Sequence, residues 1–128
     1  MENYLKKQID KNNFMKTSWD ILEKYHNAMN GNKLEEVLDF IHSSSPVQIP
    51  TRQLLGQLMS SYKLNNKLLL TCYVGSDSGY IFIRMKQKTT KLEGPDFRDN
   101  ITDSIVAMKQ DEDAWKIWSM MPLETSFL

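Results

Sequence analysis

The sequence predicts an α+β domain in which three helices precede a mainly antiparallel meander of four strands. Three observations carry this expectation. Up to Tyr62, apolar side chains recur at three- and four-residue steps, the period of a helix. From Lys67 onward, runs rich in β-branched and aromatic residues follow one another, as strands require. The clusters between two pairs of these runs, "SDSG" and "DED", are short and turn-forming, so consecutive strands pair with their neighbours.

In the first helix Phe14, Ser18, Ile21, Leu22, Tyr25, Ala28 and Met29 share one face, and Gly31 supplies the C-terminal stop. Residues 1–12 add a short, loosely attached helix through Tyr4, Leu5 and Ile9. On this reading residues 1–13 are an extension, 14–121 the domain and 122–128 a C-terminal tail. "NKLEEVLDFIHSSSP" opens a second helix with Asn32 and Glu35 in an approximate capping-box relation. Its apolar stripe is Leu34, Val37, Leu38 and Ile41, and Pro46 lies beyond its end. "PTRQLLGQLMSSY" forms the third, with Leu54, Leu55, Leu58, Met59 and Tyr62 on one face. Gly56 weakens it by up to ~1 kcal/mol relative to Ala. The strands are "KLLLTCYVG", "YIFIRMKQKTTKL", "NITDSIVAMKQ" and "AWKIWSMM".

Two-residue turns at Asp77–Ser78 and Glu112–Asp113, with Leu92–Phe97 as the wider connection, sort the strand residues onto two faces. One face holds Leu70, Cys72, Val74, Ile81, Ile83, Met85, Ser104, Val106, Met108, Trp115 and Ile117 and reads as core. On that face Cys72 is an inert buried thiol. The other face is amphipathic. It sets Lys86 opposite Asp103 with Arg84 one diagonal step away, among Tyr73, Phe82, Ile105, Trp118 and Met120. That much apolar area marks an interaction surface, and a second copy of the chain is the expected occupant. On the connecting loop, Asp96, Arg98, Asp99 and Asn100 satisfy a turn and its backbone groups.

Composition narrows the function classes. Sixteen basic and sixteen acidic side chains cancel, which argues against nucleic-acid or anionic-membrane binding through bulk charge. The single cysteine forms no internal disulfide, and no Cys/His cluster has metal-ligand spacing, so a reducing, cytoplasmic setting without metal or cofactor is expected. No apolar run approaches the ~18 residues that span a bilayer. "MENYLKKQIDKNNF" lacks the apolar centre of a signal peptide.

"WDILEKYHNAMNGNKLEEVLDFIH" followed by "FRDNITDSIVAMKQDEDAWKIW" resembles the nuclear transport factor 2-like superfamily, which includes SnoaL-like and ketosteroid-isomerase-like proteins. The resemblance covers residues 14–120 and rests on element order and on fold-bearing stretches. It implies a strongly bent, cystatin-like sheet wrapped around helices into a cone, a pocket between them, and dimerisation through the sheet. Members range from isomerases, dehydratases and cyclases to non-catalytic modules, so the fold alone does not give function. Its enzymes place an Asp or His base in the cone, helped by Tyr or acidic donors. Here the register leaves only neutral groups on the concave face: Gln87, Thr89, Asn100, Thr102 and Ser104. The expectation is a homodimeric, non-catalytic small-molecule-binding or protein-interaction module. Its ligand contacts are Tyr25, Gln87, Asn100, Thr102, Ser104 and Trp115; its dimer contacts are Tyr73, Phe82, Arg84, Asp103, Ile105, Trp118 and Met120. The alternative is a cofactor-independent lyase or isomerase for an apolar carbonyl compound, drawing its acid and base from Tyr25, His26, Asp20 or Asp99, with His42 at the end of helix two. Outside that role His26 reads as a surface histidine, since its neighbour Tyr25 takes the apolar stripe.

Overall fold

A computed structural model describes residues 2–128, with side chains described from residue 13 onward. Its described elements run α1 (Glu2–Asn30), α2 (Leu34–Asp39), α3 (Gln48–Ser61), β1 (Lys63–Asp77), β2 (Tyr80–Glu93), β3 (Asn100–Asp111) and β4 (Ala114–Phe127). The sheet is antiparallel in the order β1-β2-β3-β4. The predicted α+β class and element order hold. The packing of Tyr4, Leu5 and Ile9 lies outside the described side chains, but their backbone is continuous with α1.

α1 sets Phe14, Leu22, Tyr25 and Ala28 against Ile83, Met85, Val106, Met108 and Ile117 of the sheet to make the core. The helix ends at Asn30 with Gly31 next, as expected, but the left-handed residue that turns the chain is Asn32, with φ 55. There the Lys33 N–H donates to the Ala28 carbonyl and the Asn32 N–H to the Met29 carbonyl, both at 3.0 Å, closing the orphan carbonyls of the last turn. Asn32 therefore ends α1 instead of capping α2, whose N-cap is Lys33 with no side-chain bond. α2 buries Val37 and Leu38. Beyond it the His42 N–H donates to the Ile117 carbonyl and the Ile117 N–H to the Phe40 carbonyl, both at 2.8 Å, joining the α2–α3 segment to β4. α3 follows, tied to α2 by a two-point Arg52–Glu35 ion pair and containing no fully buried residue. Among the described residues no helix is long and apolar enough to cross a membrane.

The β2–β3 register matches the expectation, with Lys86 opposite Asp103 and Ile83 opposite Val106. The Glu112–Asp113 turn is also where it was expected, between paired Asp111 and Ala114. The first hairpin turns at Ser78–Gly79, one residue late, because both residues adopt the positive φ (53 and 84) that a tight turn of this twist needs.

Bulges correct the rest of the face assignment. β1 shifts register between Tyr73 and Gly75 and again between Leu68 and Leu70. One unpaired residue inverts every side chain until the next bulge restores the phase. Thr71 and Tyr73 thus oppose Met85 and Ile83, and Tyr73 packs against the core. Leu70, Cys72 and Val74, expected inside, are exposed. In β4 a shift around Trp118 turns Met120 to the inner face, opposite Val106. Tyr73 and Met120 therefore leave the proposed outer surface. The segment read as a tail from residue 122 continues as strand, with Phe127 opposite Asn100.

Candidate functional site

Between α1, α3 and the inner sheet face lies a cavity of about 250 Å³. α1 contributes Tyr25 and Met29, with Asn32 from the turn after it; α3 contributes Leu55, Leu58 and Met59, and Tyr62 follows at its C-cap. The sheet adds Leu64, Asn66, Gln87, Thr89, Asn100 and Met120, and Phe97 comes from the β2–β3 connection. Tyr62 meets Phe97 edge to face with centroids 5.8 Å apart, which closes one side. The volume is below the ~300–1,000 Å³ common for drug-sized ligands, so a single ring or short chain fits.

The walls are apolar with neutral polar groups: among the described residues, no Asp, Glu, His, Lys or Arg lines the cavity. Burial pushes the Tyr25 phenol up to about 12, so at neutral pH it is a hydrogen-bond donor and not a base. No hydrogen bond among the described residues occupies its hydroxyl.

A polar ladder runs through the wall. His26 Nε2 lies 2.7 Å from Gln87 Oε1, Gln87 Nε2 lies 3.5 Å from Thr89 Oγ1, and Thr89 Oγ1 lies 2.9 Å from Asn66 Oδ1. The Asn66 N–H donates to Asn30 Oδ1 at 2.6 Å, and Asn30 Nδ2 donates back to the Asn66 carbonyl at 2.9 Å. His26 is thus no surface histidine: it is 1% exposed, and its Nδ1 is buried without a partner among the described residues. The residue-to-residue stripe hid this, because β1 reaches the C-terminal turn of α1 only through long-range pairing.

Burial pushes the His26 imidazole below its ordinary value, partly offset by the Gln87 bond. The unfolded chain therefore binds a proton near pH ~6.5 that the folded protein takes up only at lower pH. This contribution to stability is complete above the unfolded value and is lost as pH falls from there towards the folded one. We expect the wild-type Tm to fall as pH drops below ~6.5, with a flatter profile for His26→Gln. Parallel thermal melts of the two proteins check this; identical slopes would contradict it.

The remaining candidates scatter. Asp20 is exposed on α1. Asp99 Oδ1 accepts the Lys91 N–H at 2.9 Å and sits outside the cavity lining. Thr102 donates to Asn100 Oδ1 at 3.1 Å, so it supports a lining residue without lining the cavity itself. Ser104 is buried in the core, and Trp115 packs edge-on against Phe14 at 4.8 Å. His42 donates from Nε2 to the Gln110 carbonyl and accepts the Ser44 N–H at Nδ1, each at 3.0 Å, leaving no free nitrogen for chemistry. Of the expected ligand contacts, Tyr25, Gln87 and Asn100 come together; Leu55, Leu58, Met59, Tyr62, Asn66 and Phe97 join them.

On the opposite face Arg84 grips Asp103 from Nε at 3.0 Å and from an Nη at 2.5 Å, holding that carboxyl below the usual carboxylate range. Trp118 stacks edge-on with Tyr80 at 5.6 Å, and Lys109 lies 4.9 Å above its ring. Leu70, Val74 and Met121 remain exposed around them.

Residues 20–128 match the model of a family described as "Anti-sigma-I factor RsgI9, C-terminal domain". No curated protein matches the chain. Among solved structures, a proposed scytalone dehydratase from Novosphingobium aromaticivorans is similar with a TM-score of 0.74 and 12% identity, over 92% of this chain and 90% of that one. A proposed aromatic ring hydroxylase from the same organism gives 0.72 and 13%, over 88% and 91%. An uncharacterised cystatin-fold protein, also from that organism, gives 0.57 and 11%, over 82% and 96%. At these identities the likeness shows a shared fold, consistent with the cone that the sequence resemblance implies. The family whose model matches carries a different name from the superfamily in that resemblance.

Proposed function

The chain belongs to the family of the anti-sigma-I factor RsgI9 C-terminal domain, and from that membership and its cavity we propose a non-catalytic module that binds a small, neutral, largely apolar ligand. The observation that carries this reading is the wall chemistry: aliphatic, aromatic and neutral amide or hydroxyl groups, with no ionised group among the described lining residues. Burial supplies affinity there, and a few hydrogen bonds orient the ligand. An anti-sigma role is what the family's name states; in this reading the domain is the ligand-responsive part of such a factor. The SnoaL-like, ketosteroid-isomerase-like enzymes would need an acid and a base converging on one ligand atom. The dispersal of His26, Asp20 and Asp99 away from the lining favours binding over turnover.

The test is a thermal-shift comparison of indole and cyclohexanol with benzoate and benzylamine. A ligand held at 100 times its Kd stabilises by ~2.7 kcal/mol, so the neutral compounds raise Tm by several degrees and the ions do not. Equal stabilisation by the ions would contradict the proposal, as would turnover of a neutral carbonyl compound that is lost in Tyr25→Phe.

The partner in this proposal is a second copy of the chain on the outer sheet face. Phe82, Ile105 and Trp118, with exposed Leu70, Val74 and Met121, supply its apolar centre, and Arg84 and Asp103 its charge. Trp118→Glu is expected to shift a dimer to monomer by replacing an apolar ring at the centre of the contact with a carboxylate. Size exclusion with light scattering checks this; a monomeric wild type at micromolar concentration contradicts it.

A further inference from the structure

The ladder in the cavity wall has a direction, and that direction is set by the backbone. Asn30 Oδ1 accepts the Asn66 backbone N–H, and Asn30 Nδ2 donates to the Asn66 carbonyl, so the Asn30 amide has one orientation. Asn66 Nδ2 then faces Asn30 Oδ1 at 3.2 Å as a donor, which turns Asn66 Oδ1 towards Thr89. An amide oxygen only accepts, so the Thr89 hydroxyl donates to it at 2.9 Å and keeps only lone pairs for its other neighbour, Gln87. Gln87 must therefore point Nε2 towards Thr89, at a long 3.5 Å, and Oε1 towards His26 Nε2 at 2.7 Å. His26, buried and short of partners, must carry its proton on Nε2 to donate to that oxygen, leaving the Nδ1 lone pair unpartnered. An amide nitrogen has two N–H groups, and among the described residues only Thr89 accepts a hydrogen bond from this one. Gln87 borders the cavity, so its second N–H is left for a ligand.

We propose that Gln87 is an obligate hydrogen-bond donor in the cavity, positioned by the Nε2–H tautomer of His26, and that it selects neutral ligands carrying a hydrogen-bond acceptor over isosteric hydrocarbons. The inference rests on the ligand-binding reading and adds the polarity of the ligand. It makes His26 a positioning residue: the ring touches Gln87, is absent from the cavity lining, and acts only by fixing which end of the amide faces inward.

Two measurements on the intact chain test it. Long-range ¹H–¹⁵N NMR of the histidine rings reads the tautomer directly, and His26 is expected to show a protonated Nε2 and a bare Nδ1. The opposite tautomer overturns the proposal whatever binds. Titrations followed by amide NMR then compare acetophenone with α-methylstyrene, in which a methylene replaces the carbonyl oxygen. The wild type should bind acetophenone roughly three- to tenfold more tightly, the range of one net hydrogen bond. Gln87→Met, shown to be folded by its spectrum, should bind both equally. Equal binding of both compounds by the wild type, with cavity signals moving, overturns the donor assignment and leaves the binding reading standing. If neither compound moves any cavity signal, both readings are overturned.

Discussion

Ile83→Ala is expected to lower the free energy of unfolding by about 2–5 kcal/mol, the range for truncating a buried aliphatic side chain that leaves a cavity. Ile83 is 0% exposed, lies opposite Val106 in the pairing of β2 and β3, and belongs to the cluster that joins α1 to the sheet. Its neighbours come from two layers and cannot collapse together to fill the hole, which favours the upper part of that range. Lys86→Ala, three residues along the same strand and on the other face, is expected to cost under ~1 kcal/mol. Urea melts of the two variants give the comparison. A reversal of the order would mean that β2 presents the opposite face to the helices.

Gly94→Ala is expected to be nearly as damaging, although the residue is exposed. Its φ of 125 lies where side-chain-bearing residues rarely go, and a Cβ there would stand 2.6 Å from the Ser61 carbonyl oxygen and 2.9 Å from the Tyr62 ring. Neither neighbour can easily yield, because Ser61 ends α3 and the Tyr62 N–H is bonded to the Leu58 carbonyl at 2.7 Å. Backbone strain of about 1–3 kcal/mol and a steric cost of about 1–3 kcal/mol act together. The displaced residue, Tyr62, lines the cavity, so ligand affinity should fall along with stability. A Gly94→Ala protein with wild-type melting temperature and ligand titration would contradict this account of the β2–α3 contact.

The helices and the central hairpin were legible because each depends on local spacing. Lys86 faces Asp103, and Ile83 and Val106 share the core, because β2 and β3 pair without a shift over ten residues on each strand. The edge strands were misread wherever a bulge inserted a residue. Gly75, beside the first shift, was the available signal, since a glycine inside a strand often marks a bulge. Nothing comparable flags Trp118, so Met120 was placed on the wrong face. Alternation along β2 and β3 puts Gln87, Thr89 and Asn100 on the face that lines the cavity, as the structure does, whereas the helical stripe of α1 leaves the buried His26 on the surface. Its burial depends on β1 and β2 closing over the end of α1, and no helical period carries that information.

The proposed function stands on a ligand entering this cavity, and methionine methyl NMR reports on that most directly. Met29, Met59 and Met120 line the cavity, while Met121, the next residue along β4, is 58% exposed on the opposite face. With ¹³C-methyl-labelled methionine and a neutral ligand such as indole, the account predicts saturable shifts at Met29, Met59 and Met120 while Met121 stays still. Shifts confined to Met121, or none at saturating ligand, would contradict it.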